Sequence, residues 1–220
     1  MYKNILLIAS ETHSYGLDFS TRGRNVSVIF GDGAGAVVLQ PNEPGDASRG
    51  ILSTHLHSDG SEAELLSMVN PGFHAGRFVP EKKLSEPSQP YGGLFITKEL
   101  IEKDDIYPYM DGPAVFKKAI VKFPEVIVEA LSTNGYQPSD LNLLVPHQAN
   151  LRIIDATASR MGLPKEKVMI NIQKYGNTTA ATIPLCLWEW RHQLNKGDNI
   201  VLAAFGGGFT WGATLVKWEY

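Results

Sequence analysis

The stretch LVPHQANLRII, residues 144–154, joins a short apolar run to the beginning of a predicted helix. The apolar run ends at Pro146, and residues 149–162 have the spacing of an amphipathic helix that ends at a glycine. His147 and Asn150 therefore lie at the carboxyl end of a predicted strand. Because open α/β sheets place their sites at the carboxyl ends of strands, this stretch predicts a strand–helix unit that carries a site.

A second polar side chain occupies an equivalent place in KYGNTTAA, residues 174–181. Asn177 follows a predicted short strand at 167–171 and precedes a predicted helix at 178–197. The side chain of Asn177 could serve only to cap that helix. If the two strands are parallel neighbours, however, His147 and Asn177 reach the same edge of the sheet. Together they would offer two N–H donors to one oxygen, as the stabilisation of an enolate or oxyanion requires.

The remaining periodic segments alternate between strand and helix. Residues 4–11 form a near-continuous apolar run, which predicts a strand buried on both faces. Further strands are predicted in 26–40, 50–60, 141–145 and 199–219, and a helix at 114–135 around Pro124. Residues 61 to about 110 carry many prolines and predict loops with short helices. The alternation predicts a layered α/β fold with largely parallel pairing.

Composition narrows the possible classes of protein. A chain of 220 residues can bury a sizeable core, as one large domain or two small ones. A net charge of −3 gives no reason to expect nucleic acid, although a local basic patch could dock an acidic partner. No apolar run is long enough to cross a bilayer, and the first apolar segment reads as a strand rather than a signal peptide. A single cysteine fits a reducing compartment, which predicts a cytoplasmic protein.

Three features resemble functional motifs when each is taken alone. GDGAGA, residues 31–36, resembles a phosphate loop, but a strand-like VVLQ follows where a helix is required, so a tight turn at Asp32–Gly33 is favoured. GGGFTWG, residues 206–212, leaves bare backbone that could approach a ligand oxygen, although a plain hairpin turn also fits. Cys186 lies mid-helix among apolar residues, which favours packing over nucleophilic catalysis.

Five ordered motifs together resemble β-ketoacyl-acyl-carrier-protein synthase III, a condensing enzyme of the thiolase fold. They are FGDGAGAVVL, STHLHSDGSEAELL, VPHQANLRI, YGNTTAA and AFGGGFTWGATLV. The resemblance covers nearly the whole chain except about residues 70–108. It implies a layered α/β/α/β/α fold with an incomplete N-terminal half. Residues 1–110 would be the remainder of that half with a connecting region, and residues 111–220 the C-terminal half.

The resemblance also implies a reaction. The family joins an acyl-CoA primer to malonyl-acyl-carrier protein in fatty acid biosynthesis, with loss of carbon dioxide. A cysteine takes the acyl group, and a histidine and an asparagine assist decarboxylation and hold the enolate. These last roles fall on His147 and Asn177, and Gly207 matches the glycine whose N–H completes the oxyanion hole. The family uses no metal and no permanently bound cofactor, takes coenzyme A thioesters as substrates, and forms homodimers.

Binding roles follow in the same way. Phe116 and Phe205 match residues that line the site, Gly112 and Asn150 match pantetheine-side positions, and Arg24 matches an arginine near the adenine end of coenzyme A. Basic residues that dock the acyl-carrier protein match Lys117 and Arg152, and Arg160 extends that patch.

The departures from the family are equally informative. The nucleophilic cysteine is absent, Pro113 stands where the family often has an asparagine donor, and residues 70–108 are longer than usual. We interpret the chain as a fragment of such an enzyme, which alone would not catalyse condensation. The alternatives are a non-catalytic scaffold subunit and another thiolase-fold enzyme that joins long acyl-CoA chains. Without the first strands of its half, the chain should expose the apolar side chains of residues 5–8.

Overall fold

The computed structural model describes residues 2–42, 46, 48–68, 98–102 and 106–220. Most of the predicted loop region therefore lies outside the described residues, and the division at residue 110 stays a prediction. Eight strands are present in the described ranges: β1 (Ile5–Glu11), β2 (Gly33–Leu39), β3 (Gly50–Ser58), β4 (Leu66–Ser67), β5 (Tyr109–Met110), β6 (Leu143–Pro146), β7 (Asn199–Gly206) and β8 (Thr210–Lys217). The α-helices are α1 (Arg24–Ser27), α2 (Lys98–Glu102), α3 (Gly112–Thr133), α4 (Leu151–Arg160), α5 (Ile172–Tyr175) and α6 (Thr182–Trp190).

The main sheet has the strand order β3-β8-β7-β6. Only β6 and β7 are parallel within it, because β7 and β8 form a hairpin and β3 joins β8 antiparallel. The prediction of largely parallel pairing is therefore wrong, although the α/β layering is confirmed. Two antiparallel ribbons, β1-β2 and β4-β5, complete the described strands.

Helix α3 covers one face of the main sheet and forms the centre of the core. Its side chains at Phe123, Val126 and Ile127 are almost completely buried. Pro124 lies inside the helix and cannot donate a hydrogen bond to the carbonyl of Ile120, four residues earlier. The guanidinium of Arg160, at the end of α4, donates to that carbonyl at 3.2 Å. Arg160 therefore ties α4 to α3 and replaces the donor that proline lacks.

The glycine cluster at 31–36 is not a turn between two strands. The residues before it form helix α1, in which the Ser27 hydroxyl donates to the Gly23 carbonyl at 2.9 Å, and Gly33 begins β2. A Cβ at Gly33 would lie 2.8 Å from Thr178 Cγ2, and one at Gly35 would lie 2.6 Å from Pro184 Cβ. The glycines thus let β2 approach α6 and the loop before it, which carries Asn177.

Two other element predictions also change. Residues 167–171 make a single parallel bridge, between Leu144 and Val168, rather than a strand. The predicted helix at 178–197 is shorter, because α6 is flanked by 3-10 turns at Thr179–Ala181 and Arg191–Gln193. The other predicted strands and helices are present within one to three residues of their expected ends.

Strand β1 exposes apolar side chains on both of its faces. Ile5, Leu6, Leu7 and Ile8 are 51%, 61%, 46% and 67% exposed. The reading of this strand as buried on both faces is wrong, whereas the predicted exposure of residues 5–8 is confirmed. In the described part of the chain β1 pairs only with β2, so its second edge carries unpaired backbone groups. Within the same ranges, no helix is long and apolar enough to span a membrane.

The exposed face of β1 predicts self-association of the isolated chain. We expect concentration-dependent association by light scattering, because exposed strand edges and apolar patches promote pairing with another chain. Leu6→Glu with Ile8→Glu should reduce the average mass. Val28→Glu is the control, since Val28 is a 79% exposed apolar residue outside β1. A monomeric wild-type chain at all concentrations would contradict this expectation.

Candidate active site

Gln148 fixes the segment that follows β6. Its side chain is fully buried and makes four hydrogen bonds to backbone groups. The amide nitrogen donates to the carbonyls of Pro146 and Met169, and the amide oxygen accepts from the N–H groups of Asn171 and Ile172. These bonds occupy backbone groups of the 167–171 segment, which explains why that segment makes only one sheet bridge.

The consequence for stability is direct. Gln148→Leu should lower the free energy of unfolding by about 3 kcal/mol or more, because it leaves buried backbone donors and acceptors without partners. Gln173→Leu, at an exposed position of α5, is the matched control and should change it by less than about 0.5 kcal/mol. Urea denaturation of the three chains measures the difference. Equal midpoints for the two variants would show that the amide does not hold this segment.

The preceding residue, His147, is positioned by the sheet. Its backbone N–H donates to the carbonyl of Ala203 on β7 at 2.7 Å, so the chain leaves β6 beside the neighbouring strand. Its ring nitrogen Nδ1 lies 2.7 Å from the hydroxyl oxygen of Thr182, at the beginning of α6. The imidazole is thus anchored at one nitrogen by a residue that sequence reasoning missed.

Asn177 is held by the backbone of residues 29–31, between α1 and β2. Its backbone N–H donates to the carbonyl of Ile29 at 2.8 Å, and its own carbonyl accepts from Gly31 at 3.0 Å. Its side-chain oxygen accepts from the N–H of Thr179 at 2.9 Å. Asn177 is 7% exposed, so it is a buried residue and not a surface helix cap.

Thr179 connects the two candidate residues. Its N–H bonds to Asn177, and its carbonyl accepts from the hydroxyl of Thr182 at 2.9 Å. Its φ of 45° lies in the left-handed region, which is costly for a β-branched residue. The backbone N–H and C=O of Thr179 therefore link Asn177 to Thr182, which contacts His147, at the cost of local backbone strain. Three threonines within TTAAT were the only sequence signal for this link.

Burial sets the protonation of the site. It lowers the pKa of His147 to about 4, so the imidazole is neutral at physiological pH. Burial raises the pKa of the Cys186 thiol to about 12, and its S–H donates to the side-chain oxygen of Asn171 at 3.2 Å. Cys186 is therefore a packing residue with an unreactive thiol, as its sequence setting predicts.

The depressed pKa of His147 predicts a pH dependence of stability. In the unfolded chain, this histidine takes up a proton below about pH 6.5. In the folded chain, it stays neutral until the pH falls to about 4. The contribution of the neutral His147 to the free energy of unfolding is therefore fully present above pH 6.5 and is lost as the pH falls to 4. It amounts to at most about 3 kcal/mol. His147→Gln should flatten the curve of unfolding free energy in this window.

The control for this experiment is His192→Gln, at an exposed position. The His192 variant should keep the slope of the wild-type chain between these two pH values. A His147→Gln chain with that same slope would contradict the burial argument.

A groove of about 700 Å³ opens beside His147. Its lining includes His147, Thr179, Phe205 and Gly206. The ring of Phe205 packs 5.1 Å from that of Phe209, which keeps it fixed at the end of β7. His147 and Phe205 thus both line this groove, and the substrate-binding role of Phe205 stays a prediction.

Asn177 and Gly207 are not among the residues that line this groove. A Cβ at Gly207 would lie 2.8 Å from the carbonyl oxygen of Leu66, so the turn requires glycine there for space. That His147 and Asn177 serve one oxygen, with the Gly207 N–H nearby, stays a prediction.

The remaining substrate-side residues lie at helix beginnings. Gly112 and Pro113 open α3, where the lack of an N–H on proline costs nothing, and Asp111 caps the helix. Asn150 caps α4, because its side-chain oxygen accepts from the N–H of Arg152 at 2.9 Å. The binding roles proposed for Gly112 and Asn150 therefore coexist with structural ones.

Basic residues gather where α3 meets α4. Lys117 and Arg152 are exposed, and the Arg152 guanidinium lies 5.5 Å from the ring centroid of Phe116. Lys118, by contrast, forms ion pairs with Glu62 and Asp59. Lys117, Arg152 and Arg160 have no ion pair within the described ranges. Arg24 lies apart from these three in sequence, exposed on α1. No cluster of potential metal ligands occurs among the residues that the structure describes.

The arrangement of the chain defines a class of protein. A crystal structure of 3-oxoacyl-[acyl-carrier-protein] synthase III from Aquifex aeolicus VF5 matches with a TM-score of 0.77 and 38% identity, over 98% of this chain and 58% of that one. The corresponding enzyme of Pseudomonas aeruginosa PAO1 matches with a TM-score of 0.78 and 36% identity, over 99% and 60%. The fold is thus that of the thiolase-like condensing enzymes.

Sequence comparison gives the family within that class. Family models described as 3-oxoacyl-[acyl-carrier-protein] synthase III and its C terminal part match residues 1–60 and 131–218. The beta-ketoacyl-[acyl-carrier-protein] synthase III of Porphyromonas gingivalis is 43% identical over 219 residues, which cover 100% of this chain and 58% of the relative. The chain belongs to the 3-oxoacyl-[acyl-carrier-protein] synthase III family, and it spans somewhat less than two thirds of the curated relatives that it matches.

Proposed function

We propose that this chain carries the His–Asn half of an acyltransferase that condenses an acyl-CoA primer with malonyl-acyl-carrier protein in fatty acid biosynthesis. The observation that carries the proposal is the hydrogen-bonded path from Asn177 through Thr179 and Thr182 to His147, at the end of a groove. Two side chains held rigidly in this way suit a reaction in which charge develops on a carbonyl oxygen.

The side-chain amide of Asn177 has a fixed orientation in this site. Its side-chain oxygen is committed to the Thr179 N–H, so its amide hydrogens remain to bind an enolate oxygen. His147 is neutral at physiological pH, which avoids placing a permanent cation beside the carboxylate that must leave. The malonyl group would lose carbon dioxide, and the resulting carbon nucleophile would attack an acyl thioester.

The acyl thioester needs a nucleophile from another segment. The one cysteine of the sequence, Cys186, is buried and has a raised pKa. We assign the acyl group to a cysteine outside this chain, whose segment would cover the groove and complete the site. The longer protein would act in the cytoplasm as a homodimer, with coenzyme A thioesters as substrates and no permanently bound cofactor.

The proposal is tested in a protein that also carries the cysteine-bearing segment. His147→Ala and Asn177→Ala should each lower the rate of malonyl decarboxylation by about 10²- to 10³-fold, because each removes a group that stabilises developing charge. Release of labelled carbon dioxide from malonyl-acyl-carrier protein measures this rate. Cys186→Ala is the control and should keep the rate within about twofold.

Either alanine variant with an undiminished rate would refute the assignment. The chain by itself should take no stable label from radiolabelled acetyl-CoA. Stoichiometric thioester label on Cys186 would contradict the need for an external cysteine.

We also propose that the α3–α4 surface docks the acidic carrier protein through Lys117 and Arg152. Lys117→Glu with Arg152→Glu should weaken carrier-protein binding about tenfold or more at low salt, and added salt should shrink the difference. Fluorescence anisotropy with a labelled carrier protein measures the affinity. Arg160 is left unchanged because it supports α3.

Lys165→Glu with Lys196→Glu makes the same change in net charge at other exposed positions. This control should bind nearly as tightly as the wild-type protein. Equal loss in both double variants would mean that overall charge, rather than this surface, governs binding.

A further inference from the structure

All three polar groups of Thr179 take part in hydrogen bonds. Its N–H donates to the Asn177 side chain, and its carbonyl accepts from the hydroxyl and the N–H of Thr182. Its own hydroxyl oxygen lies 2.6 Å from Nε2 of His13. Thr179 is an exposed residue, so burial of its side chain does not impose the left-handed φ of 45°. The strained conformation therefore depends on these hydrogen-bond partners, and His13 is the partner that comes from a distant part of the sequence.

His13 is itself anchored to the segment that holds Asn177. The next residue, Ser14, donates from its N–H and its hydroxyl to the Asp32 carboxylate, at 2.9 and 2.6 Å. The ring centroid of His13 lies 4.8 Å from that of Phe30. The backbone of Phe30 in turn forms a parallel bridge with Asn177. His13 therefore ties the loop that follows Asn177 back to the segment before β2.

The surroundings of the His13 ring favour the contact with Thr179. The His13 side chain is 22% exposed, so most of it is shielded from water. The carboxylate of Glu11 is also nearby, but its Oε2 atom lies 4.0 Å from Nε2, beyond hydrogen-bonding distance. The Thr179 hydroxyl is the closer partner of Nε2, and either group can donate in this contact.

We propose that His13 is a positioning residue, which holds Thr179 in place through its hydroxyl and thereby fixes the orientation of the Asn177 amide. Without this contact, Thr179 can relax towards a negative φ, which turns its N–H away from the Asn177 oxygen. The amide would then be free to rotate, and its hydrogens would no longer point in one direction. The inference deepens the proposed function and rests on it, because a donor must be aimed in advance to stabilise developing charge.

Nuclear Overhauser spectra of the chain, labelled at histidine and threonine, read this arrangement directly. The amide hydrogen and Hα of one residue lie closer together at positive φ than at negative φ. We therefore expect a strong intraresidue cross-peak from Thr179. We also expect cross-peaks between the His13 ring and the side-chain hydrogens of Thr179. The absence of either signal in the wild-type chain overturns the proposal, whether or not any variant folds.

Two substitutions at position 13 separate the ring nitrogens from packing. His13→Phe keeps a ring beside Phe30 but removes both nitrogens. It should weaken the intraresidue cross-peak of Thr179 and speed exchange of the Thr179 N–H about three- to tenfold, the effect of one lost hydrogen bond. His13→Gln places an amide nitrogen near the position of Nε2 and should recover most of the slow exchange. Unchanged exchange in His13→Phe, or equal acceleration in both variants, refutes the role of His13.

Two controls distinguish this local effect from a general loss of stability. His192→Phe makes the same change at an exposed position and should leave the exchange of the Thr179 N–H as in the wild-type chain. The N–H of Ile127, in the buried part of α3, should exchange at the same rate in every chain. Faster exchange of Ile127 in His13→Phe would show that the substitution loosens the whole fold, which contradicts a positioning role.

The longer protein, with its cysteine-bearing segment, tests the consequence for the reaction. His13→Phe should lower kcat for malonyl decarboxylation about three- to tenfold and keep KM within about twofold, because it disturbs the group that meets developing charge and leaves the docking surface intact. Thr179→Val should lower kcat to a similar extent. Adding His13→Phe to Thr179→Val should then change little, because the two residues act through one contact. Losses that add in the double variant refute this pathway.

The two readouts fail independently. An inactive longer protein whose Thr179 N–H responds to His13→Phe as expected would refute the proposed function alone. An active longer protein whose Thr179 N–H does not respond would refute only the role assigned to His13.

Discussion

The buried amide of Gln148 is the interaction on which the rest of the site depends. Its four hydrogen bonds join the end of β6 to the segment that leads into α5. His147 precedes it in the chain, and Asn177 follows that second segment. A single uncharged side chain thus sets the separation of the two candidate catalytic residues. Because every polar atom of the amide is satisfied, its burial carries no unpaired-group penalty.

A second network works on the side chains themselves. Asn177, Thr179, Thr182 and His147 form a chain of hydrogen bonds that runs through the backbone N–H and C=O of a single residue, Thr179. The left-handed conformation of Thr179 is the strained point of this chain. Strain at such a position persists only where surrounding contacts impose it. The close approach of β2, made possible by Gly33 and Gly35, supplies contacts of this kind on the opposite side of the loop.

Sequence reasoning found the elements that local patterns define. The long helix α3, the hairpin of β7 and β8, and the strand–helix unit at His147 all follow from periodicity and glycine signals. The predicted strand at residues 167–171 was wrong because the Gln148 side chain, and not a neighbouring strand, takes up backbone hydrogen bonds there. The predicted turn at the glycine cluster was wrong because those glycines allow β2 to pack closely against its neighbours. The pairing direction of the main sheet depends on β3, whose partner lies more than 150 residues away. Thr182 escaped notice because a threonine at a helix beginning has an ordinary capping explanation.

The pairing of Pro124 with Arg160 has a consequence for reading related sequences. Because Pro124 inside α3 has no N–H, the carbonyl of Ile120 receives no hydrogen bond from its own helix. The guanidinium of Arg160, on α4, donates to that carbonyl instead. The two positions should therefore vary together. A relative whose residue at 124 carries an N–H is free to lose the arginine, whereas one that keeps the proline needs a long donor at 160. An alignment in which the two positions vary independently would argue against this dependence. Positive charge at position 160 is then in part a trace of helix architecture and a poor guide by itself to where an acidic partner binds.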